Sequence, residues 1–142
     1  MSKTQRVISI GYEKRTPREF LDILKAHSVT TLIDVREAPI SRKKGFSKTA
    51  LSEYLTAAGI TYIHLRAAGN PYRKLKQDID QCLDLYSQHL TDHPEVVDLV
   101  HDALPSGPAA VMCYERLHEM CHRSVLLGAL ATHMNPLQVV QV

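Results

Sequence analysis

The densest group of chemically active side chains in this sequence lies between residues 113 and 123. It contains two thiols, a carboxylate, an imidazole and two guanidinium groups, in the order Cys113, Glu115, Arg116, Cys121, His122 and Arg123. A cysteine beside a histidine and an arginine, in the first turn of a helix, is expected to have a lowered thiol pKa and more thiolate. We therefore predict a functional site in this segment.

Three kinds of chemistry fit these residue types. A thiolate of Cys121 or Cys113 could act as a nucleophile while His122 or Glu115 handles protons. Cys113, Glu115, Cys121 and His122 are also acceptable ligands for a first-row metal ion, although neither cysteine belongs to a CxxC pair. The two cysteines could instead cycle through a disulfide if their Cα atoms approach within about 7 Å.

Structural roles compete with these functional ones. Cys113 ends an apolar run, and free cysteine is among the most buried residue types, so function and core packing are equally good interpretations of it. Cys82 falls on the apolar stripe of an amphipathic segment and is expected in the core. For Cys121, the adjacent His122 and Arg123 favour a function.

A basic loop forms the second notable group. Its five cations are Arg36, Arg42, Lys43, Lys44 and Lys48. Taken alone, such a run is typical of a solvated loop, but its position after a strand favours an anion site, because arginine forks match phosphate oxygens. We expect the ligand contacts to be Asp34, Arg36, Arg42, Asn70, Arg116 and Arg123. Asp34 and Arg36 could equally form a structural ion pair, and no GxGxxG or GxxxxGK[ST] nucleotide loop is present.

The elements that position these residues follow from hydrophobic periodicity and from capping sequences. Strands are predicted at 6–11, 29–35, 60–65, 109–114 and 137–142. Helices are predicted after the caps Thr16 and Ser47, along 79–90, after a capping-box-like start at 92–95, and from near Cys121. This alternation predicts a single three-layer α/β domain over residues 1–142, with a largely parallel sheet of about five strands flanked by helices. Ligands bind such sheets beyond the carboxyl ends of the strands, where the candidate residues would meet.

Composition sets the remaining bounds. A chain of 142 residues, with 44% hydrophobic and 23% charged residues, is typical of one soluble globular domain. The formal net charge of +2 does not demand a nucleic-acid partner, so attraction for anions must come from a local cluster. No apolar run is long enough to span a bilayer, and the N-terminal sequence predicts no export. The three cysteines are therefore expected to be reduced thiols in a cytoplasmic protein without a membrane partner.

Several segments, in order along the chain, resemble the domain-of-unknown-function family 488. They are Ile8–Glu13, Asp34–Arg36 followed by Pro39 and Ser41–Arg42, Gly45–Lys48, Gly69–Pro71, and Cys113–Glu115 followed by Cys121–Ser124. The resemblance covers nearly the whole chain. It implies a small cytosolic α/β protein of bacteria or archaea with its site at these segments, and it implies no reaction.

Three functional hypotheses follow. The first is a thiol-dependent enzyme with a pocket for an anionic, phosphate-bearing or nucleotide-like ligand, in which Cys113, Glu115, Cys121 and His122 are the catalytic residues. The second is a noncatalytic nucleic-acid or nucleotide-binding module, whose affinity would fall steeply with salt. The third is a Cys/His/Glu metal-binding protein. The sequence assigns no cofactor, metal identity, substrate or oligomeric state.

Overall fold

The computed structural model describes residues 4–75, 78–134 and 136–142. These residues form a five-stranded sheet and five α-helices. The strands are β1 Gln5–Gly11, β2 Thr31–Asp34, β3 Thr61–His64, β4 Ala109–Cys113 and β5 Leu137–Gln141. The helices are α1 Pro17–Ala26, α2 Lys48–Ala57, α3 Ile79–Asp92, α4 Glu95–Ala103 and α5 Arg123–His133. The predicted α/β class is confirmed.

All strand pairs are parallel, and the strand order is β3-β2-β4-β1-β5. The register places Gly11 of β1 beside Cys113 of β4, and Asp34 of β2 beside Met112. Because β4 lies between β2 and β1, the carboxyl ends of three strands meet around Cys113. Every residue of β4 is buried, as expected of a central parallel strand.

Helices cover both faces of the sheet, which gives the predicted three layers. On one face, Phe20 and Leu24 of α1 and Leu51 and Leu55 of α2 pack with Ile8, Ile10, Leu32, Ala110 and Met112. On the other, side chains of α3, α4 and α5 pack with Val7, Ile33 and Val111. The helices that follow β1 and β2 therefore lie opposite the helix that follows β4. In α/β sheets this reversal opens a crevice for ligands at the strand ends.

Local sequence accounts for two of the helix starts. Thr16 caps α1 in a reciprocal capping box with Glu19, and Pro17 occupies the first turn. Ser47 caps α2 by accepting a hydrogen bond from the Ala50 backbone N–H. Both starts confirm the sequence prediction.

Two predicted helix starts are wrong in detail. Instead of starting at a capping box over 92–95, α4 follows an N-cap residue, Pro94, that makes no side-chain cap bond, and α3 runs on to Asp92. Proline has no N–H and no polar side-chain atom, so the box cannot form around it. The last helix begins at Arg123, and Cys121 is extended two residues before it. A short 3₁₀ turn, His118–Met120, directly precedes Cys121.

None of the helices in the described part of the chain has the length and apolar character that crossing a lipid bilayer requires.

Candidate functional site

Two cysteines and one histidine converge at the carboxyl end of β4. The Nδ1 atom of His122 lies 3.6 Å from Cys121 Sγ and 3.9 Å from Cys113 Sγ. The three donor atoms all lie within 4.8 Å of one another, and all three residues are buried. We call this group the thiol–imidazole cluster. The convergence of these three predicted residues follows from the order of elements, because Cys113 ends β4 and the other two lie directly before α5, the helix that follows it.

A hydrogen bond on the side of the ring away from the thiols sets the orientation of His122. Its Nε2 atom lies 2.9 Å from the carbonyl oxygen of Val35, the first residue after β2. A carbonyl oxygen only accepts, so Nε2 carries a proton and donates it. The ring of Tyr86 packs edge-on at a centroid distance of 5.0 Å. Nδ1 is therefore fixed toward the two thiols.

The two thiols have opposite protonation tendencies. Burial alone would raise the pKa of Cys121, but hydrogen bonds from Cys113 and His122 and the charges of His122 and Arg123 hold that pKa well below its ordinary value. Donation to Cys121, together with burial, raises the pKa of Cys113 well above its ordinary value. Burial by itself lowers the pKa of His122. The hydrogen bond and the charge of Cys121 outweigh this effect, so the pKa of His122 lies above its ordinary value. The cluster thus favours one thiolate, at Cys121 as predicted, although neighbouring side chains replace the expected helix turn as the cause.

Arg123 lies inside the protein behind Cys121. Its side chain is completely buried. Its Nε donates to Cys121 Sγ at 3.2 Å, and its Nη2 donates to the backbone carbonyl of Glu115. Its main contacts are therefore a sulfur and a backbone oxygen of the site.

Asp34 and Arg36 form a buried ion pair. The carboxylate accepts from Arg36 Nη2 at 2.7 Å and from Arg36 Nε at 2.9 Å, and Tyr62 donates a further hydrogen bond to it at 2.5 Å. The remaining guanidinium nitrogen donates to the carbonyl of Phe46 at 2.6 Å. Of the two roles left open by the sequence, the structural pairing is observed.

The other predicted anion contacts lie apart. Arg42 and Arg116 are exposed, and neither is among the described residues that line the cavity at the cluster. The backbone N–H of Arg116 donates to Glu13 at 3.1 Å. The four predicted arginines therefore do not surround one space, and the phosphate pocket stays a prediction.

A cavity of about 210 Å³ opens at the thiol–imidazole cluster. Cys113, Glu115 and His122 line it, together with residues that include Asn70, Cys82 and Leu83. We call it the Cys113 cavity. Glu115 lies outside the tight group of three donors, but it faces the same cavity, where burial and the charge of Cys121 raise its pKa.

Sequence reasoning missed about half of the cavity wall. The residues not predicted are Glu37, Ala38, Ile40, Arg73, Ile79, Leu83 and Met120. Cys82 was expected in the core, and it is both buried and part of the wall. One signal was available: Ile40 and Met120 are large apolar residues in otherwise polar segments, outside any helical or strand period.

The family model described as domain of unknown function DUF488 matches residues 16–130. The chain belongs to this family. The match spans β2 to β4 and most of α5, and so includes every residue of the thiol–imidazole cluster. The searches found no matching curated protein and no matching solved structure. The family description carries no reaction, so the chemistry of this family member must be argued from the site.

Proposed function

We propose that this DUF488 protein is a metal-dependent enzyme with a divalent first-row metal ion, zinc by preference, bound by Cys113, Cys121 and His122. One observation carries the proposal: His122 Nδ1 lies at the distance from each sulfur that a shared metal ion would set, and all three donor atoms lie within 4.8 Å of one another. A zinc ion bonds to sulfur at about 2.3 Å and to nitrogen at about 2.0–2.1 Å. At a tetrahedral angle, these bonds place a sulfur ligand and a nitrogen ligand about 3.6 Å apart. The nitrogen–sulfur distances here are 3.6 and 3.9 Å.

The surroundings of the donors support a metal ion. A metal-ligating histidine usually donates its other N–H to a carbonyl or carboxylate, as His122 does to Val35. Two thiolates neutralise a divalent cation, which favours binding in a buried place. The Nε–H of Arg123 stabilises one of those thiolates.

The ligand count supports catalysis over a purely structural role. Structural zinc sites use four protein ligands, whereas catalytic sites use three and leave one position for water or substrate. Here three donors converge, and Cys113 and His122 line the adjacent cavity. A metal ion in this position would activate water or polarise a carbonyl group. Glu115, whose Oε2 is buried without a hydrogen-bond partner in the described part of the chain, would exchange the proton.

The test is metal analysis of protein purified without chelator. We expect about one zinc per chain. Cobalt(II) substituted for zinc should give the visible bands of tetrahedral cobalt and a thiolate-to-cobalt charge-transfer band. Cys113→Ser, Cys121→Ser and His122→Gln should each weaken binding more than the 10- to 100-fold typical of losing an outer-shell partner.

Cys82→Ser is the matched control. Cys82 is the third free cysteine and is equally buried, but it lies outside the cluster. It should keep the metal content and the cobalt spectrum of the wild type. Absence of stoichiometric metal and of a charge-transfer band in the wild type, or an equal loss in Cys82→Ser, would refute the metal site.

Thiol chemistry is the second candidate, favoured by the contacts that lower the pKa of Cys121. A substrate has little access to this thiol, because Cys121 is 1% exposed. Iodoacetamide trapping separates the two proposals. If the site binds a metal, zinc should protect Cys113 and Cys121 from alkylation. If the site works as a thiol nucleophile, one cysteine should react rapidly at pH 6 with or without zinc.

A further inference from the structure

Three large, exposed hydrophobic or aromatic side chains line the Cys113 cavity. Ile40 is 80% exposed, Met120 is 44% exposed and Tyr114 is 42% exposed, and all three line the cavity. The cavity's volume of about 210 Å³ lies below the roughly 300–1,000 Å³ of pockets for drug-sized ligands, so it suits a small molecule. Exposed large apolar side chains gathered around one opening commonly mark a binding site.

Most polar groups in the cavity wall are already bonded within the protein. Asn70 donates to Cys82 Sγ and accepts from the Tyr72 backbone N–H. The Cys82 thiol donates to the Tyr72 carbonyl, and His122 donates to Val35. These groups have little hydrogen-bonding capacity left for a ligand. Polar recognition therefore has to come from elsewhere in the cavity.

The cations in the described part of the wall are also neutralised. Arg36 is paired with Asp34 at 2.7 Å, and Arg73 is paired with Glu37 at 3.5 Å. Among the buried side-chain atoms of the described wall, Glu115 Oε2 has no hydrogen-bond partner, and a carboxylate oxygen is an acceptor. The two thiolates of the proposed site would offset the charge of its metal ion, so an anionic ligand would meet no unpaired cation in the described wall, and leaving a charge unpaired in such a place is unfavourable.

We propose that the Cys113 cavity binds a small molecule that is apolar where it meets Ile40, Tyr114 and Met120, carries no negative charge and donates a hydrogen bond to Glu115. This inference rests on the proposed function, since it names the ligand class of that same site. It departs from the anionic ligand that the sequence suggests, because the arginines behind that expectation are either paired or outside the cavity.

Two fluorescent probes with one framework provide the test. N-phenyl-1-naphthylamine is neutral and has an N–H donor, and 1-anilinonaphthalene-8-sulfonate is the same molecule with a sulfonate added. Titrated into zinc-loaded protein, the neutral probe should bind at least about tenfold more tightly than the sulfonate. Glu115→Gln, which keeps an acceptor oxygen, should retain the affinity for the neutral probe, and Glu115→Leu, which has none, should weaken it.

Variants of Ile40 and Met120, which we call the rim of the cavity, show whether the probe binds there. Ile40→Gln and Met120→Gln should each lower the affinity for the neutral probe about three- to tenfold, because each removes apolar contact with it. Leu99→Gln is the control, since Leu99 is as exposed as Met120 but lies on α4 away from the cavity. It should leave the affinity unchanged.

Three outcomes would overturn the inference. They are equal or tighter binding of the sulfonate, no binding of either probe, and a loss in Leu99→Gln as large as in the rim variants. The first would restore the anionic ligand. If neither probe binds and the rim variants alter self-association, the rim would be a protein contact. Metal content measured on the same samples shows separately whether the metal proposal holds.

Discussion

Removing Asp34 tests whether the Asp34–Arg36 pair belongs to the framework of the site. Arg36 is 5% exposed and Asp34 is fully buried. Burial lowers the pKa of Arg36, but the hydrogen bonds and charge of Asp34 raise it to a net value above the ordinary one. In Asp34→Ala the guanidinium stays buried and loses both bonds from Nε and the bond from Nη2. We expect the free energy of unfolding to fall by about 3–5 kcal/mol, a large share of the roughly 5–15 kcal/mol of an ordinary domain.

The reciprocal change should be milder. In Arg36→Met, the Asp34 carboxylate keeps its hydrogen bonds from Tyr62 and from the backbone N–H of residue 36. The double variant removes both charges, so its loss should be smaller than the sum of the two single losses by about 2 kcal/mol or more. Urea denaturation of metal-free protein, followed by far-ultraviolet circular dichroism, measures all three without a contribution from metal binding.

An exposed pair supplies the control. Arg18 and Asp22 lie 3.8 Å apart with side chains 88% and 62% exposed. Asp22→Ala should change the free energy of unfolding by about 0.5 kcal/mol or less. A loss below about 1 kcal/mol in Asp34→Ala, or strict additivity in the double variant, would refute the buried pair and make both residues available to a ligand.

Three further predictions test how the chain builds the site. A Cβ on Gly11 would lie 1.8 Å from the backbone oxygen of Glu115, so Gly11→Ala should lower the free energy of unfolding by about 1–3 kcal/mol in urea and weaken zinc binding. Gly128→Ala, with nothing within 4 Å, should instead stabilise by about 0.5–1 kcal/mol, and equal effects would contradict the clash. Thr16→Ala removes the capping box of α1 and should lower the melting temperature, with a loss of about 1 kcal/mol, while no shift would mean that the box is dispensable. Burial and the charge of Arg123 lower the pKa of His118, so the unfolded chain binds this proton more readily and stability should fall as the pH drops below about 6.5. His118→Gln should make the free energy of unfolding fall less steeply with decreasing pH. An unchanged pH dependence in this variant would contradict the assigned role of His118.

The sequence by itself determined the fold class and the position of the reactive segment. The caps at Thr16 and Ser47 and the β-branched runs are local signals, because capping and strand formation depend on neighbouring residues. Parallel strands bring their carboxyl ends to one edge, so the meeting of Cys113 with His122 could be inferred from the order of elements alone.

Where the side chains point was decided only by the tertiary structure. Arg36 and Arg123 look from sequence like anion ligands, yet one turns to Asp34 and Phe46 and the other to Cys121. A buried guanidinium needs acceptors, and which acceptors surround it depends on how the loops pack.

The same holds for the cluster and its cavity. His122 takes its orientation from the carbonyl of Val35, which is 87 residues away along the chain. The wall beside Cys113 comes partly from Ile79 and Leu83, on a helix that bears no local mark of a site. Periodicity reports which face of an element is apolar, and it does not report which distant atoms that face will meet. The residue types of a reactive site could therefore be predicted from the sequence, whereas the spacing that favours a metal ion and the character of the cavity arise from contacts between segments far apart in the chain.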